Sequence, residues 1–220
     1  MASIAALLTA LLRRRQNLHM VTGSAWQAPL EMAVFSTAIG WCGLVWGEQG
    51  LVGAQLPEGD AARTRARLSR RFGHAAEAPP SVAVQAVIDA IIRLTSGEKA
   101  DLAFAALDLQ AVPAFNPQVY ALARAIPPGE TRTYGEIAAD LGDRNLARAV
   151  GRALGENPIP IVIPCHRVLG AGARIGGFSA NDGAATKARL LAIEGARTSA
   201  APSLFDDAAT FSIAPSTRRP

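Results

Sequence analysis

Cys165 and His166 stand side by side at the end of the run Ile159-Pro160-Ile161-Val162-Ile163-Pro164-Cys165-His166-Arg167. A thiol becomes a strong nucleophile only as a thiolate, and a free thiol with a pKa of about 8.5 is mostly protonated at neutral pH. His166 can take that proton, directly or through a water, and a carboxylate behind the imidazole would hold its tautomer and stabilise the imidazolium. Spacing leaves Glu136, Glu156, Asp182 and Glu194 open for that place. The chain has only 2 cysteines and 3 histidines. Cys42 lies far from Cys165, so neither a disulfide framework nor a metal-binding spacing emerges, and both read as free thiols of a reducing compartment. A Cys-His pair can also be a buried structural cysteine beside a hydrogen-bonded histidine. The flanking prolines and apolar lead-in favour chemistry instead, because they build the stiff frame a positioned nucleophile needs. A thiol hydrolase or acyltransferase fits the spacing alone.

The elements around this pair follow from local patterning. Residues 159–164 alternate Ile, Pro and Val, which blocks helix and predicts an extended, buried segment. Upstream, Thr133 to Glu136 is a capping box and predicts a short helix from Tyr134 to Leu141, stopped by Gly142. Asp143 or Asn145 can cap the next helix, in which Leu146, Val150 and Leu154 repeat every four residues until Gly155 and Pro158 close it. That helix is expected to expose the small residues Ala147, Ala149, Gly151 and Ala153. The two helices joined through Gly142 fit a helix-turn-helix, although any αα-hairpin shares the pattern. Val119, Leu122, Ala123 and Ile126 make an earlier apolar helix face that ends at Pro127-Pro128-Gly129. Gly170 to Gly177 reads as a glycine-rich turn, and Thr186 to Ile193 as a last helix ending at Gly195.

The first half has a different texture. Val34 to Ile39, Trp41 to Trp46 and Leu51 to Leu56 are β-favouring runs punctuated by Gly40, Gly47 and Gly50, which predicts a small antiparallel sheet. Residues 60–72 and 81–95 have helical spacing, and 101–109 reads as an edge strand. The fold class is therefore α/β in the α+β sense: an N-terminal antiparallel sheet with helices, then a mainly helical C-terminal domain holding the helix-turn-helix and the Pro-Cys-His-Arg site. The expected organisation is an extension over residues 1–30, a domain over 31–112, a second over 113–196 and a disordered tail over 197–220.

The formal charge of +4 and a pI near 9.7 permit a nucleic-acid partner without requiring one. The densest basic run, Arg63 to Arg71, could touch phosphate, yet its spacing suits the solvated face of a helix. No apolar stretch reaches the ~18 residues of a membrane span, and residues 1–12 precede Arg13-Arg14-Arg15, the reverse of a secretory signal. A soluble, cytoplasmic protein is expected, with Met20 a plausible alternative start.

Ile163-Pro164-Cys165-His166-Arg167-Val168 closely resembles the active-site signature of the O6-alkylguanine-DNA alkyltransferases, the methylated-DNA-protein-cysteine methyltransferases. The blocks Thr133-Tyr134-Gly135-Glu136-Ile137-Ala138, Ala147-Arg148-Ala149-Val150-Gly151, Gly155-Glu156-Asn157-Pro158-Ile159-Pro160 and Leu190-Leu191-Ala192-Ile193-Glu194-Gly195 resemble the family's others, in its order, over about residues 115–196. The resemblance implies that Cys165 accepts the alkyl group, made a thiolate through a water and His166, with Glu194 orienting His166 and Asn157 bracing the turn. It implies that Arg148 enters the duplex in place of a flipped base, that Tyr134 helps rotate the nucleotide and contacts guanine, and that Cys165, Val168 and Ser179 line the guanine pocket with Lys187 behind. It further implies a single-use repair reaction on double-stranded DNA carrying O6-alkylguanine, with activity on O4-alkylthymine left open, by a monomer with no cofactor and no metal. A non-enzymatic alkyltransferase-like damage sensor is the alternative. Phe178, where a tyrosine is common, and a stretch to Lys187 about two residues longer than in many relatives depart from the pattern.

Overall fold

A computed structural model of the chain describes residues 29–175 and 183–196. Residues 1–28 of the expected extension, the expected tail, Phe178 and Ser179 lie outside the described residues, and Leu30, expected as the extension's last residue, is instead the buried first residue of the sheet. Strand β1 (Leu30–Thr37), strand β2 (Gly40–Gly47) and strand β3 (Gly50–Gln55) form an antiparallel meander joined by two-residue turns. Both turns end in glycine at positive φ, Gly40 at 124° and Gly50 at 135°, conformations open to glycine at little cost. Helix α1 (Ala61–Arg71), capped by the Asp60 side chain, carries the chain back to strand β4 (Ala75–Glu77), which pairs parallel with β1. The sheet order is β3-β2-β1-β4, so the expected antiparallel sheet has a parallel fourth strand. Ala-Ala-Glu is too short and too polar to announce itself as a strand.

β2 is buried on both faces because its side chains alternate between two layers. Leu44 and Trp46 join the main core with helix α2 (Val82–Thr95), whereas Val45 packs with Leu68 and Phe72 beside α1. The main core continues without a break from Leu44, Ile88 and Ile91 to Val119, Tyr120, Ile137, Val150, Ile159, Ile163 and Leu190. One apolar interior thus joins the two halves, each buried aliphatic side chain contributing about 1.5–3 kcal/mol.

Residues 101–109 do not form the expected edge strand; they make one isolated bridge, Leu51 to Leu107. Asp101 and Asp108 bond the amides of Ala103 and Gln110, and Arg124 donates to the carbonyls of Leu102, Ala103 and Ala105. Backbone groups engaged locally by side chains are withdrawn from a ladder. Farther along the outer edge of β3, the Ala54 amide donates to the carbonyl of Pro158 at 2.9 Å.

Helix α3 (Asn116–Arg124) buries Val119, Tyr120 and Ala123. Strand β5 (Arg132–Thr133) leads into helix α4 (Tyr134–Asp140), started by the expected capping box: Thr133 Oγ1 accepts from the Glu136 amide, and Glu136 accepts from the Thr133 amide. Gly142, at φ 94°, ends it, and Asp143 caps a 3₁₀ turn, Arg144–Leu146, leading into helix α5 (Ala147–Gly155). Val150, Ala153 and Leu154 form its buried face. Ala153, expected to be exposed, is packed because the Tyr120 hydroxyl donates to its carbonyl at 2.9 Å, clamping α3 on α5. Strand β6 (Val168–Leu169) pairs parallel with β5, and helix α6 (Gly183–Ile193) closes the fold. No described helix is long and apolar enough to cross a membrane.

Candidate functional site

The approach to Cys165 is a tight turn rather than the expected extended segment. Ile161 sits at φ 74°, a left-handed conformation that a β-branched residue adopts only under constraint, and the Ile163 amide reaches back to the Ile159 carbonyl at 2.9 Å. The constraint comes from the side chain of Asn157. Its oxygen accepts from the Ile159 amide at 2.9 Å, and its amide nitrogen donates to the Ile163 carbonyl at 2.8 Å and to Cys165 Sγ at 3.1 Å. Pattern reading missed the turn because its hydrogen bonds come from a side chain outside the run. Asn157→Ala would leave the buried Ile159 amide without its partner and the Ile163 carbonyl with the Cys165 amide alone, so urea unfolding is expected to show a loss of about 1–3 kcal/mol. Wild-type stability in that variant would mean that the turn holds itself.

Cys165 opens the 3₁₀ turn Cys165–Arg167 and is 4% exposed. Burial pushes its thiol pKa up, opposed by the Asn157 hydrogen bond, the positive charge of Lys187 and the backbone amides of Cys165 and His166. The resting thiol is therefore protonated, with donors already arranged for a thiolate. Burial pushes the Cys42 thiol up to about 12, opposed by Thr37 Oγ1 3.7 Å from its sulfur. Iodoacetamide at neutral pH is expected to modify both thiols more slowly in the folded protein than in urea, Cys42 by roughly three orders of magnitude. Equal rates for Cys165 in the two states would contradict a buried, protonated nucleophile.

His166 is fully buried, and its Nε2 lies 2.9 Å from Glu194 Oε1. Arg167 grips the same carboxylate with Nε and a terminal nitrogen, each at 2.9 Å, and donates to the Ile126 carbonyl at 2.6 Å. Burial pushes the Glu194 carboxyl up, but the hydrogen bonds and charges of His166 and Arg167 outweigh this and hold it at about 2. Burial lowers the His166 pKa, against the pull of Glu194, so the imidazole is neutral at rest. With an ionised acceptor on Nε2, the proton sits there and Nδ1 carries the lone pair. Nδ1 is buried and has no hydrogen-bond partner among the described residues. It is the nitrogen available to a base-mediated proton transfer.

Of the four carboxylates that spacing left open, Glu194 faces His166. Glu136 serves the capping box, Glu156 accepts from Asn116 at 3.2 Å, and Asp182 lies outside the described residues. Arg167, in the signature itself, was given no task by sequence reasoning. Its partner lies 27 residues away, and a signal was available in the general rule that a buried arginine needs a carboxylate.

Lys187 is 1% exposed and donates to the Val168 carbonyl at 2.6 Å; its ammonium stands 5.7 Å from the centre of the Tyr134 ring. Burial lowers its pKa, while Cys165 favours the cation. The β5–β6 pairing sets Val168 opposite Arg132, two residues before Tyr134, and the Cys165 carbonyl accepts from the Val168 amide. Tyr134 also borders α5: a Cβ added to Gly151 would meet its ring at 3.9 Å. The structure thus brings together Cys165, His166, Glu194 and Asn157, with Lys187, Val168 and Tyr134 alongside. Arg148 stands apart, exposed on the outer side of α5. Among the described residues no group of three or more His, Cys, Asp or Glu side chains is arranged to hold a metal ion.

Comparisons with known proteins point the same way. The family model described as the DNA-binding domain of 6-O-methylguanine DNA methyltransferase matches residues 114–196. A methylated-DNA–protein-cysteine methyltransferase of Mycolicibacterium paratuberculosis is 48% identical over 92 residues, 42% of this chain and 54% of that protein, so the match spans about half the relative's length. One of the same name from Methanothermobacter thermautotrophicus is 32% identical over 153 residues, 70% of this chain and 78% of that protein. A crystal structure of Mycobacterium tuberculosis OGT in complex with DNA is similar at a TM-score of 0.61 and 32% identity, covering 75% of this chain and 92% of that one.

Proposed function

Since the chain belongs to the methylated-DNA–protein-cysteine methyltransferase family, we propose that it repairs DNA by moving a methyl or small alkyl group from O6-alkylguanine onto Cys165. The observation that carries this reading is the buried series of Asn157, Cys165, His166 and Glu194, in which a protonated thiol lies one residue from a neutral imidazole oriented by an ionised carboxylate.

In the reaction, the sulfur attacks the alkyl carbon as the bond from that carbon to O6 breaks. The thiol proton passes to His166 Nδ1, through a water, and is returned to the departing guanine. Glu194 stabilises the imidazolium during the transfer, and Asn157, Lys187 and the two backbone amides face the negative charge on sulfur. The thioether product has no proton to give and no step to regenerate it, so each molecule acts once. O6 lies on a base edge inside the stack, and extrusion of the nucleotide costs a few kcal/mol. In this reading Arg148 takes the vacated place, Tyr134 and the Val168 carbonyl meet the guanine, and Ser179 belongs to the same pocket. All the catalytic groups come from one chain, consistent with a monomer, and two free thiols suit the cytoplasm.

The test is incubation with duplex DNA labelled on the O6-methyl group, followed by peptide mapping. Label on the Cys165 peptide is expected. Its absence, with the lesion intact in the DNA, would overturn the proposal.

A further inference from the structure

Helix α5 turns Val150, Ala153 and Leu154 inward and two arginines outward, Arg148 and Arg152. They are four residues apart, just over one helical turn, or about 6 Å along the axis. Neither makes a side-chain hydrogen bond or ion pair among the described residues, and Arg144, in the turn before, is exposed as well. The basic run on α1 contrasts with this. There Arg63 pairs with Asp60, Arg65 with Glu77 and Arg67 with Glu58. Similar arginine density on the two helices therefore gives one largely neutralised face and one uncompensated face.

Like charges one turn apart on a helix repel, and a bound anion turns that repulsion into shared attraction. Gly151 and Ala149, small and half-buried between the arginines, let the helix backbone approach a groove wall closely. A DNA groove is about 6–12 Å wide, so a side chain one turn from a residue inserted at its centre falls beside the phosphates that edge it. Resting on the function proposed above, we propose that Arg152 is a phosphate anchor that sets where Arg148 enters the duplex. Arg152 binds the backbone without reading sequence or lesion, and its guanidinium releases one condensed counterion on binding.

The competing role is local. Arg152 lies in the last turn of α5, where a cation complements the helix dipole. The two roles separate on salt dependence. Equilibrium binding to one duplex, with and without O6-methylguanine, would be measured between ~50 and ~200 mM salt for wild type, Arg152→Gln, Arg152→Lys and Arg70→Gln. Arg152→Gln is expected to lower the slope of log affinity against log salt by about one, so that its deficit shrinks about threefold across that range. The deficit should be equal on damaged and undamaged DNA. Arg152→Lys should keep the wild-type slope, and so should Arg70→Gln, which removes the same charge from the exposed face of α1. A wild-type slope in Arg152→Gln, even with a lowered melting temperature, would overturn the anchor and leave the helix-dipole role. A deficit confined to damaged DNA, or a slope change in Arg70→Gln alone, would overturn it too. A wild-type protein that neither bound duplex nor took up label would overturn the function itself, and the anchor with it.

Discussion

Cys165→Ser is expected to abolish transfer of label from O6-methylguanine DNA, a loss of roughly three orders of magnitude or more, while binding to the duplex survives. The hydroxyl is a far weaker nucleophile at neutral pH, and a neutral imidazole that can relay a thiol proton does not make an alkoxide. The fold should tolerate the change. Asn157 Nδ2, which reaches Cys165 Sγ at 3.1 Å, finds an acceptor in the serine oxygen, and the backbone of the turn is held by the other two Asn157 bonds. Peptide mapping of label and gel-shift binding would be read on the same preparation. Label on another residue of the variant, Cys42 included, or transfer at the wild-type rate, would remove Cys165 from the acceptor role.

Glu194→Gln should lower the transfer rate by about 10²–10⁴-fold, the range spanned by general acid–base contributions. The amide keeps the shape of the carboxylate but loses the charge that stabilises an imidazolium, and it leaves the guanidinium of Arg167 buried without a counter-charge. A broken buried pair costs about 3–5 kcal/mol, so urea unfolding should report a loss of that order. The pH dependence has a definite sign. Glu194 is depressed from its ordinary 4.5 to about 2, so its stabilisation is present above about 4.5 and is lost as the pH falls toward 2. Up to about 3 kcal/mol rides on that titration. Burial also lowers His166 from its ordinary 6.5, and a histidine kept neutral in the folded state loses stability as the pH falls below that value. Both effects make the wild type acid-labile. Melting temperatures followed downward from pH 7 should fall in two overlapping stages, and the lower stage should be missing in Glu194→Gln. An unchanged lower stage would mean that Glu194 is not held down by its neighbours.

Much of the scaffold was legible because it is written locally. The glycines that close the two hairpin turns, the Thr133–Glu136 box and Gly142 each act within a few residues, and each appears where spacing expects it. The reactive pair was legible for the same reason, as a thiol, a base and prolines in one run. The rest depends on partners distant in sequence. The strand expected over 101–109 yields to Asp101, Asp108 and Arg124, which occupy its backbone. The turn at Ile161 is imposed by Asn157, and the burial of Ala153 by a hydroxyl on α3. Local pattern left four carboxylates open for His166; three-dimensional packing brings Glu194 to it, with Arg167 on the same oxygens. Ser179 and the segment around it lie outside the described residues, so its role stands as proposed.

The bond from the Ala54 amide to the Pro158 carbonyl joins the edge of the first sheet to the residue after Asn157. Arg71 reinforces it by donating to the Ala54 carbonyl and the Gln55 side chain at 2.9 Å each. The reactive turn is therefore hung partly from the N-terminal half, although every group that touches the thiol belongs to the other half. Modularity is limited accordingly. A transplant of residues 113–196 into another protein would carry the whole catalytic inventory and leave behind the edge on which its turn rests, so the smallest portable unit is both halves together.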